Sequence, residues 1–275
     1  FDTVLIHGIV RDSQGRKMSK SLGNGIDPLK VIDEYGADAL RMMLMVGSTP
    51  GNDMRYSDEK VTASRNFANK LWNASRFVQM NLPEDFEPGM PAEELLDMSD
   101  KWVLSELART AAEVTANLDK YELGLAAEKV ENFIWDIYCD WYIEICKSRL
   151  NGEDAQQADT ARKVLVWVLD KALKLLHPFM PFITEEIYQA LPGSAETIMT
   201  QEWPDAGKMT AWPQECADFE VLMDYIKAVR TIRNDMNVHP AKKTSMTIET
   251  ANPAAFQKGG AYLARFAFAT DVALT

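Results

Sequence analysis

Long apolar runs are missing from this sequence, although 47% of its 275 residues are hydrophobic. No stretch of about 18 or more uninterrupted apolar residues occurs, so no membrane span and no membrane partner are predicted. The first residues contain no basic segment leading into an apolar core, so no secretory signal is predicted among them. The apolar content is sufficient for more than one folded core.

Cysteines are few. The chain has three cysteines, Cys139, Cys146 and Cys216. Their number is odd, and their spacing fits neither a zinc site nor a disulfide framework. No metal site is therefore predicted in this chain. Cys139 and Cys146 lie seven residues apart on one predicted helix, where buried thiols are expected. A reducing, cytoplasmic location is consistent with this usage.

Basic residues are in the minority. The chain has 29 Lys and Arg against 41 Asp and Glu, a formal net charge of −12. Phosphate contacts require Lys and Arg, so general electrostatic attraction to nucleic acid is excluded. Any RNA contact is expected to be local and directed by shape.

The most informative segment is Lys17-Met18-Ser19-Lys20-Ser21, followed by Leu22-Gly23-Asn24. Its ammonium groups, hydroxyls and backbone N–H groups could wrap an anion. On composition alone, a solvated surface loop would be the better interpretation. However, the apolar stretch Thr3–Ile6 predicts a preceding strand, and Asp27-Pro28 predicts a helix N-cap and first helical residue. A loop that lies between a strand and the start of a helix is suited to nucleotide chemistry, so this order favours a functional loop over a solvated surface loop.

Apolar periodicity beyond residue 53 predicts helices joined by short polar turns, the pattern of an antiparallel bundle. The predicted helices cover 57–80, a segment from an N-cap at Ser99 onward, 123–150, 158–176, 181–191, 218–236 and 254–266. Helical periodicity is also present earlier, from Pro28 to Val46, with an interruption near Gly36. Alternation at 244–250 predicts a strand, and 271–275 is similar to one.

Lys17–Ser21 matches the signature loop of the class I aminoacyl-tRNA synthetases. Other segments resemble that family in the same order along nearly the whole chain: Ile26–Pro28, Gly36–Arg41, Asn66–Ala74 with Arg76-Phe77, Cys139–Glu144, His177–Glu186 and Arg230–Lys243. The segments at 66–77, 139–144 and 177–186 resemble the valine enzymes more than their relatives. The family's His-x-Gly-His signature is absent, so the chain is interpreted as a piece of a longer enzyme.

The resemblance implies a mainly α fold in three parts. Residues 1–52 would be the C-terminal part of a Rossmann-like catalytic domain, carrying the lysine loop. Residues 53–192 would form an antiparallel helical bundle that binds the anticodon, and residues 193–275 a linker and a small αβ unit.

The resemblance also implies an aminoacyl-tRNA ligase activity in the full-length protein. That enzyme would use ATP, accompanied by Mg²⁺, to activate valine as the adenylate and would transfer it to valine tRNA. Lys20 and Lys17 would be catalytic and would bind ATP together with Ser19 and Ser21. The isolated chain is expected to be inactive, and a monomer is expected.

Candidate tRNA-binding residues lie on the predicted helix at 57–80: Arg65, Asn69, Arg76 and Phe77. Arginine and amide groups can read unstacked bases, and aromatic rings can stack on them. Trp72 shares this spacing but is interpreted as buried in a helix contact, and for Arg76 a structural role remains open. A second basic cluster contains Arg230, Arg233, Lys242 and Lys243, for which a solvated face is an equal alternative.

Three functional hypotheses remain at this stage. The first is an enzyme fragment of the valine type, with the isoleucine enzyme as a neighbouring assignment. The second is a stand-alone tRNA-binding helical module, and the third is a helical scaffold without an RNA role. An intact lysine loop favours the first, because a pure binding module has no use for a pyrophosphate-binding segment.

Overall fold

Helices make up most of the protein, which confirms the mainly α fold expected from the sequence. The computed structural model describes residues 2–239, 241–250 and 253–275. The helices are α1 (Pro28–Tyr35), α2 (Ala37–Met45), α3 (Asp58–Met80), α4 (Met98–Asp119), α5 (Leu123–Asn132), α6 (Glu144–Leu150), α7 (Ala155–Leu176), α8 (Pro181–Gln189), α9 (Pro213–Asp235), α10 (Pro253–Lys258) and α11 (Gly260–Phe266). Among these described residues, the strands form two parallel pairs, β1 (Val10–Arg11) with β2 (Met54–Arg55) and β3 (Thr244–Ile248) with β4 (Ala269–Leu274).

The chain divides into two compact units. The first comprises Phe1–Pro91 and Glu106–Met209, and the second comprises Ala92–Ser105 and Thr210–Thr275. In the part of the chain that the structure describes, no helix has the length and apolar character needed to cross a membrane.

Helices α1 and α2 begin and end where the sequence predicts. Asp27 caps α1 by accepting the N–H of Leu29 at 3.0 Å, and Pro28 occupies the first helical position, where no amide hydrogen is needed. Gly36 separates the two helices with a φ of 92°, which glycine adopts without a Cβ clash. These elements enclose one apolar cluster: Val31, Ala39, Met43, Tyr56 and Val61.

The strand predicted at Thr3–Ile6 is not present. Within the described residues, regular pairing begins only at β1, and Val4 and Ile6 are 75% and 73% exposed. The prediction was wrong because β-branched residues favour a strand only where a neighbouring strand can pair with its backbone and cover one face.

Helices α3 and α5 to α8, with the part of α4 from Glu106 onward, form the expected bundle in the first unit. On α3, the apolar repeat of Phe67, Leu71, Ala74 and Val78 is buried, which confirms the helical period of that pattern. Helix α7 begins at Asp154, whose carboxylate accepts the N–H groups of Gln156 and Gln157 at 3.0 Å.

The helix predicted at 123–150 is continuous but not uniform. Between α5 and α6 lies an eleven-residue π-helical segment, Phe133–Ile143, in which backbone hydrogen bonds span one more residue than in an α-helix. The Tyr138 hydroxyl in this segment donates to the carbonyl of Leu165 at 3.0 Å, which connects it to α7. Cys139 and Cys146 are buried, as predicted.

The second unit contains the expected αβ arrangement. Trp102 in α4 packs on Phe219 in α9, with ring centroids 4.8 Å apart. The helix predicted at 254–266 is instead two helices that meet at Gly259. A Cβ at Gly259 would lie 2.1 Å from Leu222 Cδ1, so the glycine permits close contact with α9.

The N-cap predicted at Ser99 is wrong, because Asp97 has that role. The Asp97 carboxylate accepts the N–H of Asp100 at 2.9 Å and the hydroxyl of Ser99 at 2.6 Å. The Asp100 carboxylate accepts the N–H of Asp97 at 3.0 Å. This reciprocal pair is a capping box in which aspartate replaces the usual glutamate.

We expect Phe67→Ala to lower the free energy of unfolding by about 3–5 kcal/mol. The ring is 1% exposed and stacks on Trp135, with centroids 6.5 Å apart. Urea unfolding would measure the change, with Asn73→Ala on the exposed side of α3 as a control expected within about 0.5 kcal/mol of the wild type. Equal stability of the two variants would contradict the placement of Phe67 in the core.

Candidate functional site

The Lys17–Ser21 loop lies between β1 and α1 in the first unit. After β1, the Gly15 N–H donates to the Asp12 carbonyl at 2.9 Å, and Lys17 then forms an antiparallel bridge to Arg11. Met18 is partly buried against the apolar cluster enclosed by α1 and α2. Met18 therefore anchors the loop, while the polar side chains on either side of it remain near the surface.

The loop lysines are available to a ligand. Lys17 and Lys20 are exposed, and neither forms an ion pair with any residue that the structure describes. The Ser19 and Ser21 hydroxyl oxygens lie 3.2 Å apart, and the Leu22 N–H donates to Ser19 Oγ at 3.3 Å. Two cations and two hydroxyls on one exposed segment can bind a polyphosphate.

Asn24 closes the loop from its far end. Its Oδ1 accepts the N–H of Ser19 at 2.9 Å, and its Nδ2 donates to the carbonyl of Lys17 at 3.2 Å. Gly23 has a φ of 62° and donates its N–H to the Lys20 carbonyl at 3.3 Å. This left-handed turn brings Asn24 back toward the start of the loop.

Asp12 holds the Asn24 amide. Its Oδ2 accepts from Asn24 Nδ2 at 2.9 Å and from Arg16 Nε at 2.7 Å. Its Oδ1 accepts the backbone N–H groups of Gln14 at 3.1 Å and Arg16 at 2.7 Å. The hydrogen bond from Asn24, assisted by Arg16, lowers the pKa of the Asp12 carboxyl to about 2 against the opposing effect of burial.

No role for Asp12 or Asn24 was predicted from the sequence. Asn24 lies between two glycines, a pattern that predicts a turn with local bonds from side chain to backbone. Its bond to Asp12, twelve residues earlier, is a tertiary contact that such a pattern cannot specify.

We expect the Asp12 carboxyl to titrate near pH 2 in the folded protein, below its ordinary value of 3.8. Because the folded-state pKa is depressed, the stability that this carboxylate contributes is present above 3.8 and is lost as the pH falls through about 2. The carboxyl carbon shift, followed by NMR and assigned with Asp12→Asn, measures the midpoint. A midpoint at or above 3.8 would contradict the hydrogen-bond network.

A second candidate surface lies on α3. Asn69 and Arg76 are exposed, and Arg76 forms no ion pair with any residue in the described ranges. Trp72, between them, is 40% exposed, so the interpretation of this ring as buried was wrong. The physical reason is helical phase, because Trp72 follows the buried Leu71 by about 100° around the axis. An exposed indole with an amide and a guanidinium on one face can contact unstacked bases.

The other two candidates on α3 are more enclosed. Arg65 is half-buried, its guanidinium carbon lies 5.4 Å from the centre of the Tyr35 ring, and its Nε has no hydrogen-bond partner among the described residues. Phe77 is half-buried, and Lys147 Nζ lies 5.6 Å from the centre of its ring. The four predicted contact residues are therefore not equally accessible.

The basic cluster in the second unit is largely occupied by structural contacts. Arg230 donates from Nε to the Phe266 carbonyl at 2.9 Å. Arg233 donates from Nη2 to the Lys242 carbonyl at 2.6 Å, and its guanidinium carbon lies 5.5 Å from the centre of the Phe268 ring. Lys242 and Lys243 are exposed. The two arginines therefore connect α9 to the αβ arrangement, a structural role in addition to the RNA surface and the solvated face that the sequence suggests.

Two segments that carry the family resemblance contact each other in the first unit. Asp38 on α2 accepts the N–H groups of Phe182 at 3.3 Å and Ile183 at 2.7 Å, at the start of α8. Arg41, one turn later, donates to the carbonyls of Pro178 at 3.0 Å and Phe179 at 3.1 Å. Helix α2, which follows the loop and α1, is thereby joined to the helical bundle.

No group of three or more His, Cys, Asp and Glu side chains in the part of the chain described by the structure is arranged to hold a metal ion. The arrangement therefore offers cationic and hydroxyl contacts for an anion, and an exposed face on α3.

Comparison with known families gives two matches. Residues 100–248 match the model of the anticodon-binding domain of tRNA ligase, and residues 1–57 match the model of class I tRNA synthetases for isoleucine, leucine, methionine and valine. The first match covers more than half of the chain. The resemblance inferred from the sequence is confirmed at the level of the family.

Curated relatives share about half of their aligned residues with this chain. A valine–tRNA ligase of Clostridium perfringens is 50% identical over 274 residues, covering 99% of this chain and 31% of the relative. One of Carboxydothermus hydrogenoformans is 52% identical over 252 residues, covering 92% and 28%. The chain thus spans less than a third of the length of these relatives.

Solved structures share the fold at lower identity. A LeuRS of Agrobacterium radiobacter K84, solved with tRNA and LeuAMS, has a TM-score of 0.57 and 23% identity, covering 76% of this chain and 24% of the LeuRS. A methionyl-tRNA synthetase of Mycobacterium tuberculosis, solved with methionyl-adenylate, has a TM-score of 0.57 and 27% identity, covering 69% and 38%.

Proposed function

The chain belongs to the anticodon-binding domain family of tRNA ligases, and we propose on that premise that it is part of a class I valine–tRNA ligase. The full enzyme uses ATP to activate valine as the adenylate and transfers the valine to its tRNA. Residues 1–52 supply the phosphate-binding loop, residues 53–192 the anticodon-binding bundle, and residues 193–275 a linker and a small αβ unit. The similarity of about 50% to valine–tRNA ligases supports valine over isoleucine.

The exposed, unpaired state of the loop lysines is the observation that carries the catalytic part of this proposal. Formation of the adenylate separates pyrophosphate from ATP, and negative charge redistributes on the departing phosphates. Lys17 and Lys20 form no ion pair within the described residues, so no internal contact must break before they bind phosphate. Ser19 and Ser21 provide hydroxyl donors beside them, and Mg²⁺ would accompany ATP as part of the substrate.

We expect Lys20→Ala in the full-length enzyme to slow adenylate formation by about 10²–10³-fold while valine affinity stays nearly unchanged. Lys20 binds charge that develops in the transition state and does not contact the amino acid. Pre-steady-state activation kinetics measure both quantities. Gln14→Ala, in the neighbouring exposed turn, is the control. A loss confined to valine affinity would contradict the role assigned to Lys20.

We propose that the exposed face of α3 binds the anticodon end of valine tRNA. Asn69, Trp72 and Arg76 are exposed at helical spacing, and they combine an amide, an indole and a guanidinium. Arg65 and Phe77 support this face from half-buried positions. Because the chain has a net charge of −12, few phosphate contacts are available, and the salt dependence of binding should be shallow.

We expect Arg76→Ala to weaken binding of valine tRNA by about 1–3 kcal/mol without lowering the melting temperature. Arg76 is exposed and forms no ion pair with a described residue. Titration with labelled tRNA and a thermal melt separate the two effects.

Lys120→Ala removes the same unit of charge from an exposed turn outside α3 and is expected to have little effect on affinity. If Arg76→Ala lowers the melting temperature and leaves the affinity unchanged, Arg76 is structural. The tRNA surface would then have to include other exposed cations, such as Lys242 and Lys243.

A further inference from the structure

We propose that Asp12 and Asn24 are positioning residues that hold the Lys17–Ser21 loop in the shape that presents its two lysines to phosphate. This inference rests on the proposed function and deepens it. Neither side chain is required to contact ATP. Their role is to fix the backbone from which Lys17 and Lys20 project.

The Asn24 amide holds two points on the loop at once. It accepts from the Ser19 N–H at 2.9 Å and donates to the Lys17 carbonyl at 3.2 Å. Only a side chain that both donates and accepts can make these two bonds. An aspartate at position 24 would be similar in size, but it would leave the Lys17 carbonyl without this donor.

The Asp12 carboxylate determines which way the Asn24 amide faces. A carboxylate accepts hydrogen bonds only, so the Asn24 NH₂ group must point toward Asp12 Oδ2, 2.9 Å away. The Asn24 oxygen is then directed at the Ser19 N–H. Asp12 is itself held by Gln14 and Arg16, and it directly follows β1, which is paired with β2.

The network fixes the loop without supporting the helical core. All the bonds of the two side chains lie within residues 12–24, outside the bundle. Their loss should therefore loosen the loop and leave the fold intact. Catalytic groups displaced by about 1 Å can cost about 10²-fold in rate, so a loosened loop should lower kcat.

The central variant is Asn24→Asp, which removes the amide donor and places two carboxylates side by side. The double variant Asp12→Asn with Asn24→Asp restores one donor and one acceptor between the two positions. Gln14→Ala is the matched control, because it removes an exposed amide from the same turn. Each variant is made in this chain and in the full-length protein.

Two measurements test the proposal. In this chain, hydrogen exchange at the Ser19 amide should be at least about tenfold faster in Asn24→Ala, which removes the oxygen that accepts the Ser19 N–H, than in the wild type or in Gln14→Ala. In the full-length protein, kcat for valine-dependent ATP–pyrophosphate exchange should fall by about 10–100-fold in Asn24→Asp and in Asn24→Ala. The KM for valine should not change, and the double variant should recover part of the lost kcat.

Each result bears on a separate statement. Unchanged Ser19 exchange in Asn24→Ala would overturn the claim that Asn24 holds the loop. Faster exchange with wild-type kcat would overturn the claim that this hold serves the reaction, and so would a lack of any recovery in the double variant. A wild-type full-length protein without valine-dependent exchange would overturn the proposed function, while the Ser19 measurement would still decide whether Asn24 braces the loop.

Discussion

The buried contact between Asp38 and the start of α8 determines how the lysine loop is placed relative to the bundle in the first unit. Asp38 is 8% exposed, and burial raises the pKa of its carboxyl, against the effect of the two N–H groups that it accepts. Those donors lie in the first turn of α8, where the helix dipole also favours a carboxylate. The contact fixes α2, and α2 shares the apolar cluster into which Met18 of the loop packs.

The sequence predicted much of the helical structure, because the contacts that define helix ends and buried helix faces join residues close in sequence. The cap at Asp27, the break at Gly36 and the buried period of α3 each depend on residues within a few positions of one another. The strand predicted at Thr3–Ile6 failed where a distant partner decides the structure, because these residues belong to no strand pair in the described chain, although the Ile6 carbonyl accepts the N–H of Gly51 at 3.0 Å. The error at Trp72 has a local cause, since this residue lies just beyond the buried stripe of α3.

The candidate site likewise contains residues that the sequence could identify and residues that only tertiary contacts reveal. Lys17, Ser19, Lys20 and Ser21 could be named from the sequence because their chemistry is carried by one short segment. Asp12 could not be named, since its importance depends on a fold-back that brings Asn24 within 2.9 Å. The basic residues of α9 illustrate the converse case. Arg230 and Arg233 are consistent with an RNA surface by type and spacing, but their donors are directed at backbone carbonyls.

The net charge of the chain explains why it matters which cations are exposed and which form internal contacts. With a net charge of −12, this chain cannot bind a polyanion by general attraction, so each phosphate or base contact depends on a particular cation that is exposed and unengaged. Many Lys and Arg side chains elsewhere in the described chain form ion pairs with acidic groups, as in the pairs Lys70–Asp140 and Lys129–Glu113. The cations of the loop and of the α3 face lack such partners within the described residues. The positions of these cations therefore matter for binding. Because the Asn24 amide carries no charge, it can fix the loop backbone without neutralising the loop lysines.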